Sequence, residues 1–280
     1  MSDGVERGTS ELRIDVSGTR PVPFGRIVAV EWRKMTDTRA GFWLLAVSGA
    51  LLVLALGITL LVAAVDDTVR LSASGISEIM VIPVSLLVPV FAILTVTSEW
   101  SQRTHLETFT REPQRMRVIW AKLLAVGALA VLTIVAAVLL GAVGNLLYGA
   151  ITGNEVVWNL EVSTLLWTVV VQVLFFLMGF GFGMLVLNTA GAVAIFYVIG
   201  FLLPFMVYST LFFLFDWARD VLPWVDMTTA SMPIVSGEDY AGQAVDVGGL
   251  EYVQFGFTAV LYVLVPIVIG AWRVLRAEVK

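Results

Sequence analysis

The sequence predicts an all-α integral membrane protein with six transmembrane helices and both termini on the cytoplasmic side. Three observations carry that prediction. Apolar residues make up 59% of the 280 residues and charged ones only 14%, against about 25% charged in soluble domains, and the mean hydropathy is +0.91. Six apolar stretches, 42–65, 79–97, 123–147, 162–187, 191–215 and 252–272, each approach or exceed the ~20 residues that cross a hydrocarbon core as a helix, and none holds Asp, Glu, Lys, Arg or His. Of the 17 basic residues, all but Arg70 and Arg219 fall in the tail and in alternate loops, 1–41, 98–122 and 273–280. The positive-inside bias puts those segments in the cytoplasm, and six crossings satisfy the parity.

The same numbers exclude other classes. A soluble enzyme, a disordered chain and a β-barrel, whose strands alternate polar and apolar residues, do not have this composition. The opposite loops carry 12 of the 22 acids, so the net charge of −5 describes the outer face and argues against nucleic acid as a partner. With no cysteine, disulfides, thiolate metal sites and cysteine nucleophiles are absent, and the single histidine, His105, leaves no expectation of a metal site. Arginine outnumbers lysine 14 to 3 in an Ala-, Val- and Gly-rich chain, which fits a GC-rich bacterial genome and a multi-pass protein of an inner or plasma membrane.

Residues 1–23 are polar and rich in turn formers, and lack the apolar core of a signal peptide, so they read as a flexible cytoplasmic tail. From residue 24 to 41 the pattern changes. Phe24, Ile27, Val28, Trp32 and Met35 share one arc at helical spacing, with Arg26, Arg33 and Asp37 opposite. Such a helix is too short to span and is expected in the inner interface. Glu31 projects from the apolar arc, where an unpaired carboxylate is costly, and Lys34, one turn on, is its expected partner. Glu31 reads either as a snorkelling surface residue or as one that docks a partner or locks this helix against a span.

The link 98–122 is far longer than a reversal of direction requires. Glu99 with Arg103, and Arg103 with Glu107, are i,i+4 pairs that would carry the second span's helix into the cytoplasm and end it before Pro113. Arg115, Arg117 and Lys122 precede the third span and suit an interface position. The plain alternative is a solvated connector with anchoring arginines. In the fourth span, Gly179-Phe-Gly-Phe-Gly183 contains a G-x3-G that lets helices approach, with packing inside the chain favoured over dimerisation. Pro83, Pro89, Pro204 and Pro266 are expected to bend their helices. The outer segment 216–251 reads as an interfacial helix followed by a flexible acidic loop, whose Glu238, Asp239 and Asp246 lack a regular cation-ligand spacing.

The order Glu99, Thr104, Pro113, Arg115, Lys122, as E-x4-T-x8-P-x-R-x6-K between the second and third spans, resembles the first cytoplasmic loop of ABC transporter permeases of the ABC-2 exporter type. The approach Glu31-Trp32-Arg33-Lys34-Met35-Thr36-Asp37-Thr38-Arg39 is similar to the elbow helix that leads into their first span. The resemblance covers residues 24–280. It implies a type V-like exporter fold with an elbow helix at 24–41 and a six-helix transmembrane domain at 42–280. It also implies a coupling helix at about 98–115 seated on a separate ABC ATPase subunit, present in two copies, that binds ATP and Mg. A second permease copy or a paralogue would complete the route through the lipid bilayer.

Independently of the resemblance, no G-x4-G-K-[ST] sequence occurs, so this chain is not expected to cradle ATP phosphates or to be an enzyme. The apolar stretches hold no ionisable relay of the kind ion-coupled carriers keep. The expected function is the membrane subunit of an ATP-driven efflux system that moves an apolar or amphipathic drug, lipid or peptide outward. The alternatives are a secondary carrier or channel, and an intramembrane enzyme.

Overall fold

The computed structural model describes residues 22–66, 68–101 and 115–276. Among these the chain is helical almost throughout, without a strand, and six segments are long and apolar enough to cross a membrane. In chain order the helices are α1 (Phe24–Thr36), α2 (Arg39–Val65), α3 (Ala73–Ser101), α4 (Arg115–Thr152) and α5 (Val162–Val186). The fifth span joins α6 (Thr189–Tyr197), a π-helical stretch (Val198–Tyr208) and α7 (Ser209–Leu214). Two short helices follow, α8 (Asp216–Val225) and α9 (Met227–Ser236). The sixth span then runs through α10 (Gly249–Ala259), a π-helical turn (Val260–Leu264) and α11 (Val265–Arg276).

The apolar stretches mark the spans, but two helices outrun them. α3 starts at residue 73 and α4 at 115, several residues before hydropathy alone would begin them. Backbone hydrogen bonding does not stop where the membrane does. At 1.5 Å per residue, the 38 residues of α4 extend roughly 57 Å, well beyond a 30 Å hydrocarbon core.

Small residues set how closely the spans approach. A Cβ on Gly141 would lie 2.7 Å from Ser77 Cα, and one on Gly179 would lie 2.8 Å from the Pro89 carbonyl oxygen, so α4 and α5 both press directly on the α3 backbone. Gly183 faces Ile93 of α3 and Gly181 faces Pro266 and Ile267 of α11. The Gly179–Gly183 run therefore serves two neighbours within the chain. Pro83 and Pro89 sit inside α3, Pro204 lies in the first π stretch, and Pro266 follows the second. At Pro204 and Pro266 widened turns relieve the pressure of the proline ring on the carbonyl four residues back, whereas α3 holds Pro83 and Pro89 without one.

One end of the bundle gathers α1, the end of α3, the start of α4, the α5–α6 junction and the end of α11. There Thr97 and Thr189 share a hydrogen bond of 2.7 Å and Arg273 donates to the Leu185 carbonyl. At the opposite end the linkers are tied together. The Val157 carbonyl accepts from both Ala73 N and Asn145 Nδ2, at 3.1 and 2.9 Å, and Arg70 donates to Asn154 Oδ1 at 2.8 Å. In α8, Ala218 and Leu222 are buried while Trp217, Val221 and Val225 are exposed, and Asp216 and Asp220 occupy a third side.

Residues 237–248, within the expected acidic loop, are cross-linked by their own backbone. Asp239 N donates to Gln243 O at 3.0 Å and Val245 N to Gly237 O at 2.8 Å. Gly237 and Gly242 reverse the chain at φ of 73° and 70°, which other residues rarely adopt, and Asp239 Oδ1 accepts from Ala241 N and Gln243 N.

Asp226 caps α9, its Oδ2 accepting from Thr229 N at 2.7 Å and from Thr229 Oγ1 at 2.6 Å. Burial raises its pKa above the ordinary 3.8, against the Thr229 hydrogen bonds. Burial and the Asp226 carboxylate together push the neighbouring Tyr240 hydroxyl up to about 12. A raised acid pKa means the fold prefers the protonated group. The stability it gives is fully present below the ordinary value and is lost as pH rises through the raised one. Asp226→Asn keeps the cap, because asparagine caps as well as aspartate. As pH rises above the ordinary 3.8 and through the raised value, the melting temperature of this variant is expected to gain on the parent protein, whereas Asp226→Ala loses the cap and costs about 1 kcal/mol. A constant difference between Asp226→Asn and the parent would show that the titration is not felt.

Candidate functional site

The distinctive chemistry of the described residues is a closed ring of four charges at the α1 end of the bundle. Glu31 on α1 faces inward and is 2% exposed. Its Oε1 accepts from Lys34 Nζ and its Oε2 from Lys122 Nζ, both at 2.7 Å. Lys34 also donates to Glu99 Oε1 at 2.7 Å, and Lys122 lies 2.9 Å from the same oxygen. The sequence of contacts is therefore Glu31, Lys34, Glu99, Lys122 and back to Glu31, alternating in sign. Lys122 reaches a further acceptor, the Thr95 carbonyl, at 3.1 Å.

Local structure delivers each member. The arc of α1 that carries Met35 also carries Glu31, so burying one buries the other. Glu99 lies near the last turn of α3 and Lys122 two turns into α4. Adjacent antiparallel helices bring those turns side by side. The ring is internally neutral, which makes burial tolerable: two charges out of water cost several kcal/mol each unless they are closely paired and hydrogen bonded. Lys34 is the outermost member, with its side chain 40% exposed. Burial works against its ammonium, but the Glu31 and Glu99 carboxylates outweigh it and raise its pKa above the ordinary lysine value.

Of the residues singled out in the sequence, Glu31, Lys34, Glu99 and Lys122 are thus brought together from three helices. Glu31 does not snorkel; it is enclosed and tied to the third span. Lys122, expected at the interface, is only 6% exposed, because two carboxylates and a carbonyl replace the water it loses. Trp32 packs against the main apolar core instead of the ring. Arg115 starts α4, and Arg117 donates to the Val22 carbonyl at 2.9 Å, fastening the beginning of α1 to α4. Gly179 and Gly183 belong to the α3–α5 contact. Arg103, Thr104, Glu107 and Pro113 lie outside the described residues, as do the pairs expected of Glu99 and Glu107 with Arg103 and most of the 1–23 tail.

Fold and site together define a multi-pass α-helical membrane protein with a charge-clamped helix beside two of its spans. No protein-family model matches the chain, and no curated protein matches it.

Proposed function

We propose that this chain is the transmembrane permease subunit of an ATP-driven exporter of the ABC-2 type, moving an apolar or amphipathic substrate outward in partnership with a separate ATPase. The observation that carries the reading is the ring. It fixes α1 to the two helix ends that bracket residues 102–114, within the link whose Glu99, Thr104, Pro113, Arg115 and Lys122 resemble the family's first cytoplasmic loop. A helix locked across the roots of that loop supports a membrane subunit driven from outside itself. The missing P-loop and the uncharged apolar stretches also favour an energy source on another polypeptide. In this reading α1 is the elbow helix, the ring and both termini face the cytoplasm, and α8 and α9 lie on the outer face. A second permease copy or a paralogue completes the translocation route.

Purified alone, the chain is expected to hydrolyse no ATP, and to export only when joined by a P-loop protein, for which the neighbouring reading frame is the first candidate. Substrate accumulation driven by a proton gradient in vesicles holding this chain alone would favour the carrier reading. Orientation is checked separately in the cysteine-free protein. Gly237→Cys is expected to react with an impermeant thiol reagent from outside and Gln102→Cys only after permeabilisation; the reverse pattern would overturn the topology.

A further inference from the structure

We propose that the bundle carries, at the end opposite the ring, a binding cleft for an amphiphilic organic cation. Its single alkyl chain lies between α3 and α5, and its ammonium meets Glu78 and Glu161 at the mouth. The proposal stands on contacts within this chain and holds whether or not an ATPase drives it.

The cleft follows from how α3 and α5 meet. They touch where Gly179 faces the Pro89 carbonyl. Toward the first turns of both helices a narrow cleft opens between them, with about 330 Å³ of space up to its open mouth and Val138 of α4 among its walls. Glu78 and Val81 share one face of α3, and Glu161, Leu165 and Thr168 share one face at the start of α5. At 1.5 Å per residue, Thr168 lies roughly 10 Å deeper along the helix than Glu161.

The walls are apolar although hydroxyls line them. Ser77 Oγ donates to the Ala73 carbonyl at 2.7 Å and Thr168 Oγ1 to the Thr164 carbonyl at 2.8 Å. Both hydrogens go to the helix backbone, and the surface left facing the cleft is almost all carbon.

The mouth is anionic and unbalanced. Glu78 and Glu161 are exposed, and neither has an ion pair or a hydrogen bond through its carboxylate among the described residues. Glu161 precedes α5 without capping it through its side chain. Glu238, in the closed loop, is near enough for its charge to act on Glu78. The basic residues Arg70 and Arg219 bond Asn154 and Asp216 instead.

Carbon walls under an acidic mouth select the ligand. Among the described residues no three acids are placed to hold a metal ion. An anion is repelled at the mouth, and a zwitterionic lipid brings its own phosphate there. A chain with a net positive head sets its methylenes against Val81, Val138 and Leu165 and balances the carboxylates. Because the bilayer solvates an alkyl chain as well as the cleft does, preference for the site comes from the two carboxylates.

The test uses the full chain in phosphatidylcholine nanodiscs, with radiolabelled dodecylammonium as the probe and protein-free discs as the blank. Saturable binding of one probe per chain is expected, without competition from dodecanol. Glu78→Gln with Glu161→Gln is expected to weaken binding about tenfold or more. Since neither carboxylate bonds anything, this variant should melt no lower than the parent. Val138→Phe fills the cleft, keeps both acids and is also expected to lose saturable binding. Glu155→Gln, which removes an exposed acid outside the cleft, should bind as the parent does. Competition by dodecanol, undiminished binding in the double variant, or Val138→Phe binding as before overturns the proposal. Loss of probe binding in phosphatidylethanolamine discs would assign the cleft to a lipid headgroup and overturn it too. None of these readouts involves ATP, so the cleft and the exporter reading fail separately.

Discussion

Lys122→Met is expected to be the most damaging single substitution in the described residues, costing about 3–5 kcal/mol, because it removes the cation that Glu31 and Glu99 share. Two carboxylates at the buried end of α3 and α1 are then left with Lys34, the member nearest water. Methionine matches the length of the lysine stem and fills its space, so the loss is electrostatic. The double variant Glu31→Gln with Lys122→Met takes out one charge of each sign and leaves the Lys34–Glu99 pair, so it should be less harmful than the single one. Such a sign of non-additivity belongs to groups that share partners. Thermal unfolding followed by size-exclusion chromatography in detergent compares the two. A single variant that melts no lower than the double would mean that Lys122 is dispensable to its neighbours.

The second large effect is expected at the glycine contacts of α3. Gly179→Leu places a side chain where even a Cβ would meet the Pro89 carbonyl at 2.8 Å, and Gly141→Leu does so 2.7 Å from Ser77 Cα. Backbone cannot swing aside as a side chain does, so the helices must part, at a cost of about 1–3 kcal/mol or more each. Gly127 in the middle of α4 has nothing within 4 Å of its notional Cβ. Gly127→Ala should therefore be neutral or gain up to about 1 kcal/mol from helix propensity. Equal melting temperatures for Gly127→Ala and Gly179→Leu would show that the close approach carries no weight.

The spans were legible because crossing a hydrocarbon core demands a long uninterrupted apolar run, and no other constraint in this chain produces one. What hydropathy could not locate were the helix ends, as in α3 and α4, where hydrogen bonding continues into polar sequence. Glu31 was visible as an anomaly, a carboxylate on an apolar arc, and its bond to Lys34 follows from helical spacing alone. Its bond to Lys122 does not, since it depends on which helix ends meet in space, 91 residues apart in sequence. One signal did point to the adjoining Glu99–Lys122 pair. Glu99 stands just after the second apolar stretch and Lys122 just before the third, opposite charges at the facing ends of consecutive antiparallel helices. The loop at 237–248 is legible as a loop but not in its internal bonding. Its glycines and acids, typical of open loops, here make the turns and the Asp239 hydrogen bonds that close it.

The closed ring also constrains how this sequence can change over generations. Each carboxylate contacts both lysines and each lysine contacts both carboxylates. Loss of Lys122 alone therefore leaves buried Glu31 and Glu99 short of a cation, and a second substitution that removes a carboxylate restores the balance. Positions 31, 34, 99 and 122 are coupled across three helices, free to drift only in combinations that keep the charges balanced. An alignment of descendants should show them retained together, or lost as opposite-charge pairs or as a set in favour of apolar side chains, with unbalanced combinations rare.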